Sequence, residues 1–236
     1  MPAAMDNPVL TFADNPSVPE RLEYLLSGMM SGWPRRGRRL LVLSAGRAPF
    51  LESLWLAGFD LTVHDNDPEA LAVAAGTLKN RGERILGAPD HLPVDDCSFD
   101  YALALPGPET PLPDLLRELH RVACRGVLLL FASSWSLAAL EYRLRNKAHP
   151  QTAGFFSPRK IRREARLVFD TARRTWGSVL PGHSRTWKTG FVFEHLNAPL
   201  LPLPLGAVAC LRLDRCVPYT GTPLVVRAAA PVISAE

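Results

Sequence analysis

The stretch from Arg39 to Asp65, RLLVLSAGRAPFLESLWLAGFDLTVHD, constrains this chain more than any other. It reads as a buried strand (Leu40 to Leu43), a tight turn holding Gly46, a short helix, and a second strand (Leu61 to His64) that delivers Asp65 19 positions after the glycine. A strand end and turn of this kind let the backbone approach a ligand, and the following helix N-terminus offers free N–H groups. An acid at the tip of the next strand is suited to accept the two hydroxyls of a ribose. The residues therefore point to a nucleotide-type cofactor site in an α/β fold.

Size and composition agree with such a fold. With 236 residues, 47% of them hydrophobic and 21% charged, the chain can bury a sizeable core as one domain. Its longest apolar runs, such as Val127 to Ala132, fall well short of the roughly 20 residues a membrane-spanning helix needs, so no membrane span is expected. The first residues include acids and no basic run, which argues against a secretory signal and for a cytoplasmic protein. Cys97, Cys124, Cys210 and Cys216 form no CxxC pair and the six histidines are scattered, so no metal site is expected.

Along the chain, residues 1–20 read as a lead-in, and residues 20–31 as a helix carrying Leu22, Leu25, Leu26 and Met29 on one face. After Leu40–Leu43, a helix runs from about Pro49 to Gly58. Leu61–His64 is followed by a helix with Asp67 as its cap and Pro68 in its first turn. Ile85–Leu86, Phe99–Leu105 and Gly126–Ala132 are the next strands, with the helix PDLLRELHRVA between the last two. Short apolar strands alternating with helices predict a mostly parallel sheet covered on both faces. Beyond residue 133, SWSLAALEYRLRNK reads as a helix with Leu137, Leu140 and Leu144 inward. SPRKIRREARLVF reads as a helix capped by Ser157, and residues 171–180 and 206–213 as two further strands. A single domain over 1–236 is expected: lead-in and helix to 37, cofactor-binding core over 38–132, and C-terminal elements over 133–236 with a lid over 181–204. The lid is inferred from Trp187, Phe191, Phe193, His183 and His195, an unusual content for a plain connecting loop; the other reading is that these aromatics pad the outer face of the last two strands.

Taken in order, four segments resemble the class I S-adenosylmethionine-dependent methyltransferases, in particular the ubiquinone/menaquinone-type group. LLVLSAGRAPF stands where that family has its glycine loop, and LTVHDNDPEAL where it has the second strand, acid and helix. GAPDHLPVDDCSFDYALAL and LLRELHRVACRGVLLLF are similar to its third and fourth segments; beyond these four, FFSPRKIRREARLVF also looks like the helix before the sixth strand. The resemblance implies a Rossmann-like fold with a mostly parallel seven-stranded sheet and helices on both faces. It implies S-adenosyl-L-methionine as cofactor and methyl transfer to an acceptor, here expected to be a small molecule. Ser44, Ala45 and Gly46 would form the first turn of the cofactor site, Asp65 and Asn66 the end of the second strand, Ala88, Pro89 and Asp90 the adenine side with Leu92, and Leu105 the end of the fourth strand. Pro106, Gly107 and Pro108 would floor the methyl-transfer site.

The pattern also departs from that family. Ser44 replaces the acid that opens the glycine loop, Ala48 and Phe50 occupy later glycine positions, and Ala88 stands where an acid is usual. Cβ atoms and a phenyl ring at glycine positions restrict a close backbone approach. Cys124-Arg125-Gly126 takes the place of a proline-glycine turn. Two readings stay open, an enzyme and a methyltransferase-like binding or regulatory module; a dinucleotide oxidoreductase fits the glycine pattern poorly. No catalytic residue is assigned: Glu109, His149 and His183 are the ionisable groups that enter consideration as a base. Residues 159–188 carry nine Lys or Arg against Glu164 and Asp170, a local net of +7 in a chain of +4. That concentration reads as a solvated face or as a docking patch for an acidic partner, with nucleic acid not favoured because no array of stacking aromatics accompanies it.

Overall fold

The structure, a computed structural model, describes residues 7–13, 15–44, 47–145, 154–187 and 200–215. Strands β1 (Arg38–Leu43), β2 (Phe59–Asp65), β3 (Glu83–Leu86), β4 (Phe99–Ala104) and β5 (Ala123–Ser133) run parallel in the order β3-β2-β1-β4-β5. The sheet continues through β8 (Val208–Asp214), antiparallel to β5, to β7 (Arg173–Val179) at the edge. The seven expected strands are all present. A two-residue strand, β6 (Phe155–Phe156), adds to them by pairing with Ala132 and Ser133 of β5 beyond the end of β4.

Side chains alternate across this sheet with the period of two that extended backbone imposes. Leu40, Val42, Leu61, Val63 and Leu103 face α2 (Val18–Met29) and α3 (Leu51–Leu56). Leu41, Leu43, Ala102, Val127 and Leu129 face α5 (Leu112–Val122) and α7 (Pro158–Val168). Leu22, Leu25, Leu26 and Met29 of α2 are buried as their spacing predicts. Asp67 caps α4 (Pro68–Thr77), accepting from the Glu69 N–H at 2.9 Å.

Several expectations are corrected. The lead-in contains α1 (Pro8–Ala13), and α2 begins at Val18 rather than near residue 20. The helix expected from Pro49 begins at Leu51. Ser157 holds the N-cap position of α7 but its hydroxyl makes no capping bond. In α6 (Leu137–Arg145) the leucines do not point inward: Leu137, Leu140 and Leu144 are exposed, and Ala138, Ala139 and Glu141 are buried. Two alanines let this helix lie close against its neighbours, and Glu141 reaches inward to hydrogen-bond donors of the 183–187 segment; three leucine side chains there would hold the helix off. No turn precedes β5. The strand starts at Ala123, directly after α5, and Gly126 is required because a Cβ there would stand 2.5 Å from the Trp33 ring. Trp33 stacks flat on Tyr101 at 4.1 Å, closing the amino edge of the sheet.

Candidate functional site

The carboxyl ends of the parallel strands form one continuous row. The Ser44 N–H donates to the His64 carbonyl at 2.9 Å, the Gly87 N–H to the Asp65 carbonyl at 3.2 Å, and the Leu105 N–H to the Leu43 carbonyl at 3.1 Å. These bonds bring Ser44, Asp65, Gly87 and Leu105, from four strands, to the same edge. Ser44 sits at φ 54°, the left-handed region that non-glycine residues rarely adopt, so β1 ends in an abrupt change of direction. Ala45 and Gly46, the next two expected site residues, lie outside the described residues.

Asp65 is 8% exposed at the tip of β2. One of its oxygens accepts the Asp67 N–H at 3.1 Å, which orients the carboxylate. Because Asp67 itself caps α4, the two acids divide the work. Asn66, Ala88 and Asp90 are exposed and Pro89 half-buried, forming an open rim beside Asp65. Leu92 departs from its expected role: it is buried in the core with Phe99 and Leu116 and lines no rim. Ala48 and Phe50 are likewise buried in the core.

The chain clamps the segment after β3 from α5. Glu118 accepts the Leu92 N–H at 2.7 Å and pairs with Arg121 at 2.5 Å. Arg121 in turn donates to the carbonyls of Leu92 and Val94, at 3.0 and 2.7 Å, and to Asp96 at 2.8 Å. Arg121 holds the Glu118 carboxyl below its ordinary value, against the opposing effect of burial. Replacing Arg121 by Met removes the donor of the Val94 carbonyl and the guanidinium bonds of the Leu92 carbonyl and the largely buried Glu118 carboxylate, which keep only the Val94 and Leu92 N–H. We expect a loss of about 1–3 kcal/mol, measured by urea unfolding; a loss below about 0.5 kcal/mol would show the clamp to be dispensable.

Two residues at this edge carry no sequence signal of a site. Asn7 donates from Nδ2 to the carbonyls of Leu105 and Pro106, both at 3.2 Å, and so fixes α1 over the end of β4. His64, between Val63 and Asp65, is fully buried, and both ring nitrogens lack a hydrogen-bond partner. The backbone of Gly87 and Ala88 faces the ring without reaching hydrogen-bond geometry. Burial pushes the imidazole below its ordinary pKa, outweighing the nearby Asp65 charge, and His120 is lowered for the same first reason. With folded values below the unfolded one, the unfolded chain binds protons first. Stability from these groups is complete above about pH 6.5 and falls as pH drops below it. We expect His64→Leu to narrow the drop in melting temperature between about pH 7.5 and pH 5.5, leaving the part due to His120. An unchanged drop would remove His64 from the acid response.

The 181–187 segment reaches the same edge. Trp187 is buried and meets Phe12 of α1 edge-on at 5.2 Å, and its indole N–H donates to the Gly182 carbonyl at 3.1 Å. Glu141 of α6 accepts from the Ser184 hydroxyl at 2.7 Å and lies 3.1 Å from His183 Nε2. Burial pushes the Glu141 carboxyl up, but Ser184, His183 and Arg145 more than offset this and keep it low. Phe191, Phe193, His195 and His149 lie outside the described residues. Glu109 is exposed beyond β4.

No protein-family model matches this chain, and no curated protein matches it. Solved structures do. A possible histamine N-methyltransferase from Thermotoga maritima superposes with TM-score 0.64 at 18% identity, over 83% of this chain and 89% of that one. Magnesium protoporphyrin IX methyltransferase from Synechocystis, solved with bound SAH, gives TM-score 0.59 at 12% identity, over 85% and 84%. Geranyl diphosphate C-methyltransferase from Streptomyces coelicolor gives 0.58 at 12% identity, over 84% and 76%. The strand order, the antiparallel β8 and these superpositions together show that the chain has the Rossmann-like class I methyltransferase fold.

Proposed function

We propose that the chain is an S-adenosyl-L-methionine-dependent methyltransferase acting on a small-molecule acceptor. The observation that carries this reading is the nearly buried Asp65 carboxylate at the tip of β2, in register with the ends of β1, β3 and β4. Its chemistry suits the cofactor: a carboxylate is an acceptor only, and a ribose offers two vicinal donors. In this reading Ser44, Ala45 and Gly46 give the cofactor its turn, Asn66, Ala88, Pro89 and Asp90 flank the adenine, and Leu105 walls the far end. All three solved structures named above carry a small molecule in their names: histamine, magnesium protoporphyrin IX and geranyl diphosphate.

When bound, S-adenosyl-L-methionine supplies a methyl group on a sulfonium, open to direct displacement. The chain's task is then to hold the acceptor in line and keep water away, work that orientation alone can accomplish without a nucleophilic side chain. Pro106, Gly107 and Pro108 after β4 form the floor in this reading, Asn7 holds α1 above it, and residues 181–204 form the wall of the acceptor pocket as a lid. Calorimetric titration with S-adenosylhomocysteine, followed by transfer of labelled methyl from S-adenosyl-L-methionine into a metabolite extract, tests the proposal. Binding with a labelled product supports it; no heat with either cofactor form overturns it in favour of a methyltransferase-like binding module.

A further inference from the structure

α6 and α7 both start at the carboxyl edge of the sheet, and each leaves one face exposed. Leu137, Leu140 and Leu144 of α6 are 52%, 50% and 60% exposed, an apolar stripe along a helix whose opposite face is packed. Residues spaced by three and four share one side of a helix, so the stripe is continuous. Beside Leu140 and Leu144, a hollow of about 310 Å³ reaches Arg145 and His183. α7 buries Pro158, Ile161 and Ala165 and turns Arg159, Lys160, Arg162, Arg163 and Arg166 outward. Among the described residues, Arg163 alone of these five has a carboxylate partner, Glu164 at 2.8 Å. One contact links the starts of the two helices: the Arg159 guanidinium lies 5.3 Å over the ring of Trp135, which is itself exposed and precedes α6 by two residues.

We infer that this surface docks the protein on an anionic lipid bilayer, with the α6 leucines and Trp135 entering the headgroup boundary and the α7 cations pairing with lipid phosphates. An apolar stripe on α6 and a cationic face on α7, with an indole under Arg159 where the two helices start, match that boundary in polarity and charge. The alternatives match one half only. A nucleic acid would satisfy the cations but gives the leucine stripe no partner, and Arg159 already covers one face of the Trp135 ring. A second copy of the chain would cover the leucines, but would bring the cationic faces of two +7 segments together. The docking face adjoins the carboxyl edge, since α6 follows β5 and α7 follows β6 there. It does not depend on methyl transfer.

The test is cosedimentation of the full chain with vesicles of phosphatidylcholine alone and of an equal phosphatidylcholine–phosphatidylglycerol mixture, with melting curves as the folding control. We expect binding to the anionic vesicles, and at least about tenfold weaker binding for either the Leu140→Glu, Leu144→Glu double variant or the Arg159→Glu, Arg162→Glu double variant. Absence of the wild-type protein from anionic vesicles at low salt overturns the inference. So does wild-type-like binding by the leucine variant, which would leave the stripe without a role. A wild-type dimer that the leucine variant converts to monomer, or tighter binding to a single-stranded RNA than to the vesicles, would assign the surface to another occupant.

Discussion

Asp65→Ala is expected to weaken S-adenosylhomocysteine binding at least tenfold while the protein stays folded. Charge-assisted hydrogen bonds to a carboxylate each contribute about 1.5–3 kcal/mol, and tenfold in affinity corresponds to about 1.4 kcal/mol, so loss of even one ribose contact reaches that threshold. The structural cost is separate and smaller. Asp65 also accepts the Asp67 N–H at 3.1 Å, but the cap of α4 is Asp67 itself, which the substitution leaves in place. Asp65→Asn keeps an oxygen for that turn bond and loses the charge, so its affinity should fall between wild type and Ala. Calorimetry on the three proteins, beside their melting curves, decides the matter. Equal affinities in folded proteins would remove Asp65 from the site and leave the row of strand ends without its main polar contact.

The fold was largely legible because its signals are local. β1, β2 and β5 are short apolar runs between helices with clear caps, as Asp67 shows, and a parallel sheet follows from them almost directly. Elements set by distant partners were harder to read. α1 has only six residues and is fixed by Asn7 bonding to carbonyls about a hundred positions away, contacts no local pattern announces. In α6 the period of the leucines was read correctly but the face was not, because Glu141 is drawn inward by Ser184 and the leucines are left outside. Charge in a core position is a choice made by tertiary partners, not by periodicity.

The candidate site rests on local signals for the same reason. Gly46 to Asp65 is a short-range spacing, and the structure brings Ser44, Asp65 and Leu105 to one edge. Leu92 was misplaced because its environment depends on Glu118 and Arg121, whose clamp draws the segment after β3 against α5. A buried carboxylate three residues before an arginine, on a helix that faces that segment, is the signal that could have found it. His64 offered no such signal: within a strand it reads as one more inward residue, and only its burial with unpartnered nitrogens sets it apart.

Phe50→Ala is expected to cost about 3–5 kcal/mol of stability, the usual penalty for emptying a fully buried phenyl site. Its position in the glycine loop suggests a ring that narrows a cofactor pocket, but the structure puts Phe50 elsewhere. The residue is fully buried, begins α3 by accepting the Leu54 N–H at 3.1 Å, and shares a core with Leu26 of α2 and with Met30, which follows α2. A hollow of about 380 Å³ between α2 and α3 already borders that position, so the neighbours have room to shift, which favours the lower end of the range. Even so, about 3 kcal/mol is a large share of the roughly 5–15 kcal/mol that holds a typical domain together. Urea unfolding should show a lower midpoint at unchanged slope, since the surface exposed on unfolding hardly changes. Titration of the folded variant below its melting range supplies the second readout: a core residue leaves S-adenosylhomocysteine affinity within about twofold, under 0.5 kcal/mol. A variant that keeps its stability but loses affinity would return Phe50 to the pocket and make the altered loop a true constriction.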